Sequence, residues 1–311
     1  MDRRIKFRHL DAFSAIARAQ SLKRAAEGLH LTQPAISKTL KELEDILGAK
    51  LMERSRAGVR LTPEGEVFLQ FAEQSTAALR QGLRSVRGDL SGAGRVVVGA
   101  LPSVAATLVP RAVLEFTRQS PGTELEVLDG AHSDMTRRLR SGGVDLVVGR
   151  LGRPDTMDGL IFRQLYSEEV VVVASPDSPA LGVTRFEDLE AFRIIYPPKD
   201  TAIRSLIARL LISRSVPLFS DRIDTASANV GHALVRADPR AVWIISRGVV
   251  QQDLADGHLV QLPLDTSSTI GAVGIMSRAE EVPSAAARSF VRCLTNAAKT
   301  RDGLKPGPVG G

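Results

Sequence analysis

Apolar positions recur at helical spacing over the first third of the chain and switch to alternating short runs beyond residue 95. Leu10, Phe13, Ile16 and Ala17 fall on one helical face, so residues 7–19 are expected to form an amphipathic helix. Ser21 offers an N-cap to a second, short helix whose inner face is Leu22, Ala25, Ala26 and Leu29. In LTQPAISKTLKELEDILG, Thr32 is a good N-cap, Pro34 is tolerated in the first turn, and Leu31 can staple onto Ile36. Ile36, Leu40, Leu43 and Leu47 then form a buried stripe that Gly48 ends. Two helices joined by so tight a turn make a helix-turn-helix. The next segment, LMERSRAGVRLTPEG, sets a polar tip between two apolar pieces, which suits a two-stranded wing. A long helix is expected over 63–87, with Phe68, Ala72, Ser75, Leu79, Leu83 and Val86 at coiled-coil spacing. Such a stripe serves a dimer seam or packs on its own domain. SGAGR, 91–95, reads as a flexible joint.

Beyond the joint, RVVVGAL, ELEVLDG and DLVVGRL are separated by helical segments through LVPRAVLEF and MTRRLRSGG. A second set runs through VVVVASP, RIIYP, a helix over 201–213, DRIDT, a helix over 228–235 and AVWIIS, before GAVGIMS and a final helix over 283–298. Alternation of this kind predicts parallel sheet covered on both faces, arranged as two α/β lobes. The tail GLKPGPVGG is expected to be mobile.

Charge sharpens the division. The net charge of the 311-residue chain is +6, and up to Thr62 there are thirteen Lys and Arg against seven Asp and Glu. The remainder carries 28 of each sign, so all the excess sits at the front. A basic head on a neutral body is the footprint of a polyanion-binding module. Cys293 is the single cysteine, which excludes an internal disulfide, and MDRRIKFRHL lacks the apolar stretch of a secretory signal; a cytoplasmic location is expected. The apolar runs break within about eight residues, short of the roughly 20 that span a bilayer. No nucleophile elbow, zincin motif, Walker loop or dinucleotide fingerprint is present, and the five histidines show no metal-ligand spacing. Neither catalysis nor a cofactor or metal is expected.

With Ile36, Leu40, Leu43 and Leu47 buried, the third helix turns Gln33, Ser37, Lys38 and Lys41 outward. Its second half carries Glu42, Glu44 and Asp45, which phosphates would repel, so it must enter a groove by its N-terminus, from Thr32 and Pro34 onward. Gln33 can pair with adenine, Ser37 with several base edges, and Lys38 with guanine or phosphate. Arg54, Arg56 and Arg60 on the wing suit phosphate or minor-groove contacts.

The ordered combination AA…LHLTQPAISK…LE…LG with a wing closing in LTPEG resembles the winged helix-turn-helix of LysR-type transcriptional regulators, and the long helix and α/β remainder extend the likeness over nearly the whole chain. Within that family RIKFRHL, GEVFL, VVVGALPSV and DLVVGRL look most like regulators of protocatechuate catabolism, with galactose-binding-protein regulators of sugar uptake as near relatives. The different-class alternative is a cytoplasmic enzyme with an appended DNA-binding head.

The resemblance implies an all-α winged helix-turn-helix over 1–62, a dimerising linker helix over 63–90, a periplasmic-binding-protein-like α/β effector domain of two subdomains over 91–302 and a tail over 303–311. It implies an activator that works as a dimer or tetramer on an inverted-repeat operator in double-stranded DNA, with RNA polymerase as partner, and that responds to a small carboxylated inducer. Carried over one at a time, the inducer residues are Ser103 after the first strand, His132 and Ser133 after the second, Arg150 after the DLVVG strand, Thr201 at a helix start in the second lobe and Asn229 at a later one. Arg150 is the member suited to a bidentate carboxylate pair.

Overall fold

In the computed structural model the described residues are 4–55, 58–88, 94–199, 201–279 and 281–301. The chain divides into two compact units, Met1–Ser91 with Arg140–Gly143, and Gly92–Leu139 with Val144–Gly311.

The first unit contains α1 (Phe7–Ala19), α2 (Leu22–Gly28), α3 (Gln33–Leu47), the hairpin β1 (Met52–Ser55) and β2 (Gly58–Leu61), and α4 (Pro63–Gly88). Capping sets the boundaries as the sequence predicts: the Ser21 hydroxyl accepts from the Arg24 N–H, the Thr32 hydroxyl from that of Ala35, and Gly48 ends α3 at φ 64°. Phe13, Ile16, Ile36 and Leu43 are fully buried at the centre. The wing leans on the end of α1, where the Val59 N–H donates to the Gln20 carbonyl at 3.1 Å. A Cβ on Gly58 would lie 2.7 Å from that carbonyl oxygen, so only glycine admits the approach.

Two expectations change here. Phe68 and Ala72 pack inside the unit, Phe68 edge-on to Phe13 at 5.4 Å. Among the described residues, the large apolar side chains that α4 leaves exposed are Val67, Phe71, Leu79 and Leu83, in a four-residue progression through Ser75. Val86, expected on the same seam, has its side chain outside the described residues. The exposed stripe lies one residue before the expected one in its first half, because Phe68 completes the core beneath α1.

Glu44, read as part of a repellent acidic half, is buried. It accepts from the Leu51 and Met52 N–H groups at 2.9 and 3.2 Å and from Lys50 Nζ at 2.7 Å, fixing the wing to α3. Burial alone would raise its pKa, but Lys50 and the two backbone donors outweigh that and hold it below the ordinary 4.5. Its stabilisation is therefore complete above that value and drains away as the pH falls through the depressed one. Glu44→Ala is expected to cost about 1–3 kcal/mol by leaving buried N–H groups unpaired. Denaturant unfolding at neutral pH checks this, and the variant should lose part of the acid limb of the stability profile.

The second unit runs β3 (Arg95–Ala100), α5 (Pro102–Ala105), α6 (Leu108–Gln119), β4 (Glu124–Asp129), α7 (His132–Arg140), β5 (Leu146–Arg150), β6 (Leu160–Glu168) and β7 (Val170–Ala174). It continues through β8 (Arg193–Tyr196), α8 (Ala202–Ser213), β9 (Arg222–Asp224), α9 (Ala228–Ala237), β10 (Ala241–Ser246), α10 (Arg247–Ala255), β11 (Val260–Gln261), β12 (Gly271–Arg278) and α11 (Ala285–Arg301). Two five-stranded sheets result, ordered β4-β3-β5-β12-β6 and β11-β7-β10-β8-β9. In the first, Val96 and Val98 pack under Phe116 and Phe290 while Val97 and Val147 meet Met135 and Leu139, so both faces are covered.

The sheets are mixed rather than parallel. β3 pairs in parallel with β4 and β5, whereas β12 runs antiparallel to β5 and β6; β8 is parallel to β9 and β10, whereas β7 is antiparallel to β10. The reason is the connection. The chain leaves the first sheet through β6 into β7 and returns from β11 into β12, so each sheet receives a strand running against its neighbours.

Candidate functional site

On α3 the buried stripe of Ile36, Leu40 and Leu43 turns Gln33, Pro34, Lys38 and Lys41 to solvent, with Ser37 half-buried between them and the Thr32 cap exposed at the tip. Two of the three acidic groups in the second half of the helix are engaged within the unit: Glu44 holds the wing, and Glu42 takes Arg8 at 3.1 Å and His9 Nε2 at 3.4 Å, while Asp45 is exposed. What remains outward near the N-terminus is neutral or basic, and the first-turn N–H groups add the positive end of the helix dipole. Arg60 is exposed on β2, opposite Glu53. Arg54 lies in β1 opposite Val59, but its side chain, and Arg56 altogether, are outside the described residues. Gln33, Ser37, Lys38 and Lys41 thus share one face of a capped helix, as groove insertion needs.

In the second unit, the expected ligand residues sit at or after the carboxyl ends of strands, with Arg150 the last residue of β5. In open α/β sheets such ends frame a binding crevice where strand order reverses, here at β3 and β5 and at β8 and β10. Ser103 is buried in α5. His132 is buried at the start of α7 against Gly152, where a Cβ would come 2.3 Å from the imidazole, and Ser133 beside it is exposed. Thr201 caps α8, but its hydroxyl donates to the Pro198 carbonyl at 2.8 Å. Asn229 is exposed in the first turn of α9, whose cap is Ser227.

Arg150 has its partners within the domain. It is 4% exposed, and its guanidinium donates from Nη2 to the Glu168 carbonyl at 2.8 Å and from Nη1 to the Thr269 carbonyl at 3.3 Å. The Glu168 carboxylate stands 3.6 Å from Nη2. Glu168 ends β6, where the chain crosses to the second sheet, and Thr269 lies on the return, so Arg150 clasps both connections. The Thr269 hydroxyl adds a stitch, accepting from the Val170 N–H at 2.9 Å and donating to the Thr266 carbonyl at 2.6 Å. Burial pulls the Arg150 pKa below the ordinary arginine value, against the opposing pull of Glu168.

Residues 7–66 match the bacterial regulatory helix-turn-helix protein family of lysR type, and residues 91–299 match the LysR substrate binding domain. The chain belongs to the LysR family. Over 301 residues, 96% of each chain, it is 41% identical to the HTH-type transcriptional regulator PcaQ of Agrobacterium fabrum. A full-length OxyR variant from Pseudomonas aeruginosa shares the fold with TM-score 0.61 and 23% identity, over 93% of this chain and 97% of that one. The LysR-family regulator CbnR, solved in complex with its target DNA, shares it with TM-score 0.57 and 21% identity, over 94% and 100%. This LysR chain is therefore a DNA-binding transcriptional regulator with an N-terminal winged helix-turn-helix and an α/β effector domain.

Sequence reasoning passed over three residues of the LysR effector domain. Glu168 and Thr269 become partners of Arg150 only through the crossing connections, and the one local hint is that Glu168, in SEEVVVV, stands two residues before an apolar strand. Gly248 is the third. A Cβ there would sit 2.1 Å from the Ser103 carbonyl oxygen and 2.7 Å from Glu168 Oε2, so α10 reaches α5 only because this position is glycine. Among the described residues no helix is long and apolar enough to cross a membrane.

Proposed function

We propose that this regulator activates genes of protocatechuate catabolism in the cytoplasm, in response to a small, multiply carboxylated ring-cleavage product such as β-carboxy-cis,cis-muconate. The observation that carries the reading is the 41% identity to PcaQ over 96% of both chains, which joins the sequence resemblance to protocatechuate regulators. Residues 1–62 bind an inverted-repeat operator, 63–90 pair two copies, 91–302 take the inducer, and RNA polymerase is the downstream partner. Gln33 and Ser37 read bases; Thr32, Pro34, Lys38, Lys41, Arg54, Arg56 and Arg60 position the backbone. The exposed α4 stripe of Val67, Phe71, Leu79 and Leu83 supplies the seam of a dimer, from which tetramers assemble. Ser103, His132, Ser133, Thr201 and Asn229 surround the inducer. Arg150 acts from behind them, by its charge and by the crossing segments it holds.

The test is a footprint on DNA flanking the regulator's own gene, with and without protocatechuate ring-cleavage products. Gln33→Ala and Ser37→Ala should each lose about 1–3 kcal/mol of preference for the footprinted sequence over random DNA, with random-sequence binding little changed. Wild-type preference in both variants refutes the base-reading assignment. Calorimetry in which no carboxylated intermediate binds the native protein refutes the inducer.

A further inference from the structure

We infer that Leu31 is a sequence-reading residue that covers the C5-methyl group of one thymine in each half-site, an inference that rests on the proposal that α3 enters the major groove by its N-terminus. The sequence pattern makes Leu31 a staple onto Ile36. The structure leaves Leu31 47% exposed while Ile36 is fully buried, so the side chain stands outside the core it was expected to close. Its place is fixed all the same. The Leu31 N–H donates to the Ala26 carbonyl at 2.8 Å, and His30 before it takes the left-handed conformation at φ 56°, turning the chain so that Leu31 leads into the Thr32 cap.

A lone exposed leucine is ordinary on a protein surface. Leu31 is not isolated: Pro34 and Ala35 are also exposed, so three apolar groups cluster at the leading end of a helix whose outward face is otherwise polar and basic. Phosphates are charged, deoxyribose C–H groups are the same for every base and so carry no sequence information, and the edges of guanine, cytosine and adenine present donors and acceptors to the major groove. The thymine methyl is the apolar feature there that a leucine can cover. Gln33, two residues on, is suited to adenine, so a reader of the paired strand and a reader of the methyl would lie side by side.

The experiment uses the full chain and the duplex that wild-type protein selects from a random-sequence pool. Each thymine is replaced in turn by deoxyuridine, which removes the methyl and leaves every hydrogen-bonding edge intact. Wild-type affinity should fall about fourfold at one thymine per half-site, the factor for burying a group of one-carbon size. Leu31→Ala should bind both duplexes alike at that position, and Leu31→Met should restore the difference; equal melting temperatures show that the exposed site leaves the fold intact. The inference is overturned alone if Gln33→Ala changes the selected sequence while Leu31→Ala keeps the full uracil penalty, or if no thymine is methyl-sensitive in wild type. If Gln33→Ala and Ser37→Ala select the same sequence as wild type, the groove reading itself fails and takes the inference with it.

Discussion

Arg150→Ala should destabilise the effector domain by about 3–5 kcal/mol, the magnitude for removing one partner of a buried ion pair. The loss has two parts. The Glu168 carboxylate, wholly enclosed, loses the Arg150 counter-charge, and the carbonyls of Glu168 and Thr269 lose their donors. Denaturant unfolding measures the sum, and hydrogen exchange over 166–172 and 266–272 shows where it falls. Arg150→Lys keeps the charge but not the two-pronged fork, so it should recover only part of the stability. A variant as stable as wild type but deaf to inducer would instead place Arg150 against the ligand.

Gly248→Ala carries the second large effect. The new methyl would overlap a backbone oxygen at 2.1 Å and a carboxylate at 2.7 Å, and the former belongs to α5, which cannot step aside by a rotamer change. α10 and α5 must separate, so the two sheets of the effector domain are held further apart than in the native chain. Overpacking of this kind costs about 1–3 kcal/mol. The functional consequence is larger: a ligand alters a two-state protein only through different affinity for the two states, and a domain wedged into one of them no longer responds. The footprint of Gly248→Ala on operator DNA should be the same with and without inducer. A variant that switches normally would show that this contact does not define the resting state.

Much of the chain was legible because its signals are local. Caps at Ser21, Thr32 and Gly48, the Ile36–Leu40–Leu43 stripe and the thirteen-to-seven charge excess each act within a few residues, and the resemblance carried by LTQPAISK and LTPEG fixed the family from the same stretch. Short apolar runs such as VVVVA, AVWIIS and GAVGIMS identified strands, since buried strands read as continuous apolar sequence. LIFRQLYSE was missed as a strand: with one face half exposed it alternates Arg163, Gln164 and Ser167 among apolar residues and gives no continuous run.

What the tertiary structure alone decided lies where distant segments meet. Strand direction at β12 and β7 follows from the double crossing, which no local period records. Phe68 rather than Phe71 joins the core because Phe13 waits beneath it, and a helical stripe read from sequence cannot choose between two adjacent faces that both carry apolar side chains. In sequence Glu44 looks like a surface charge and Arg150 like a ligand-facing one, and each is buried because backbone groups 7 to 119 residues away supply its partners. A charge enters a protein interior only where the fold assembles its counter-charge and hydrogen bonds in one place, and that assembly is a property of the folded chain, not of the residue or its neighbours in sequence.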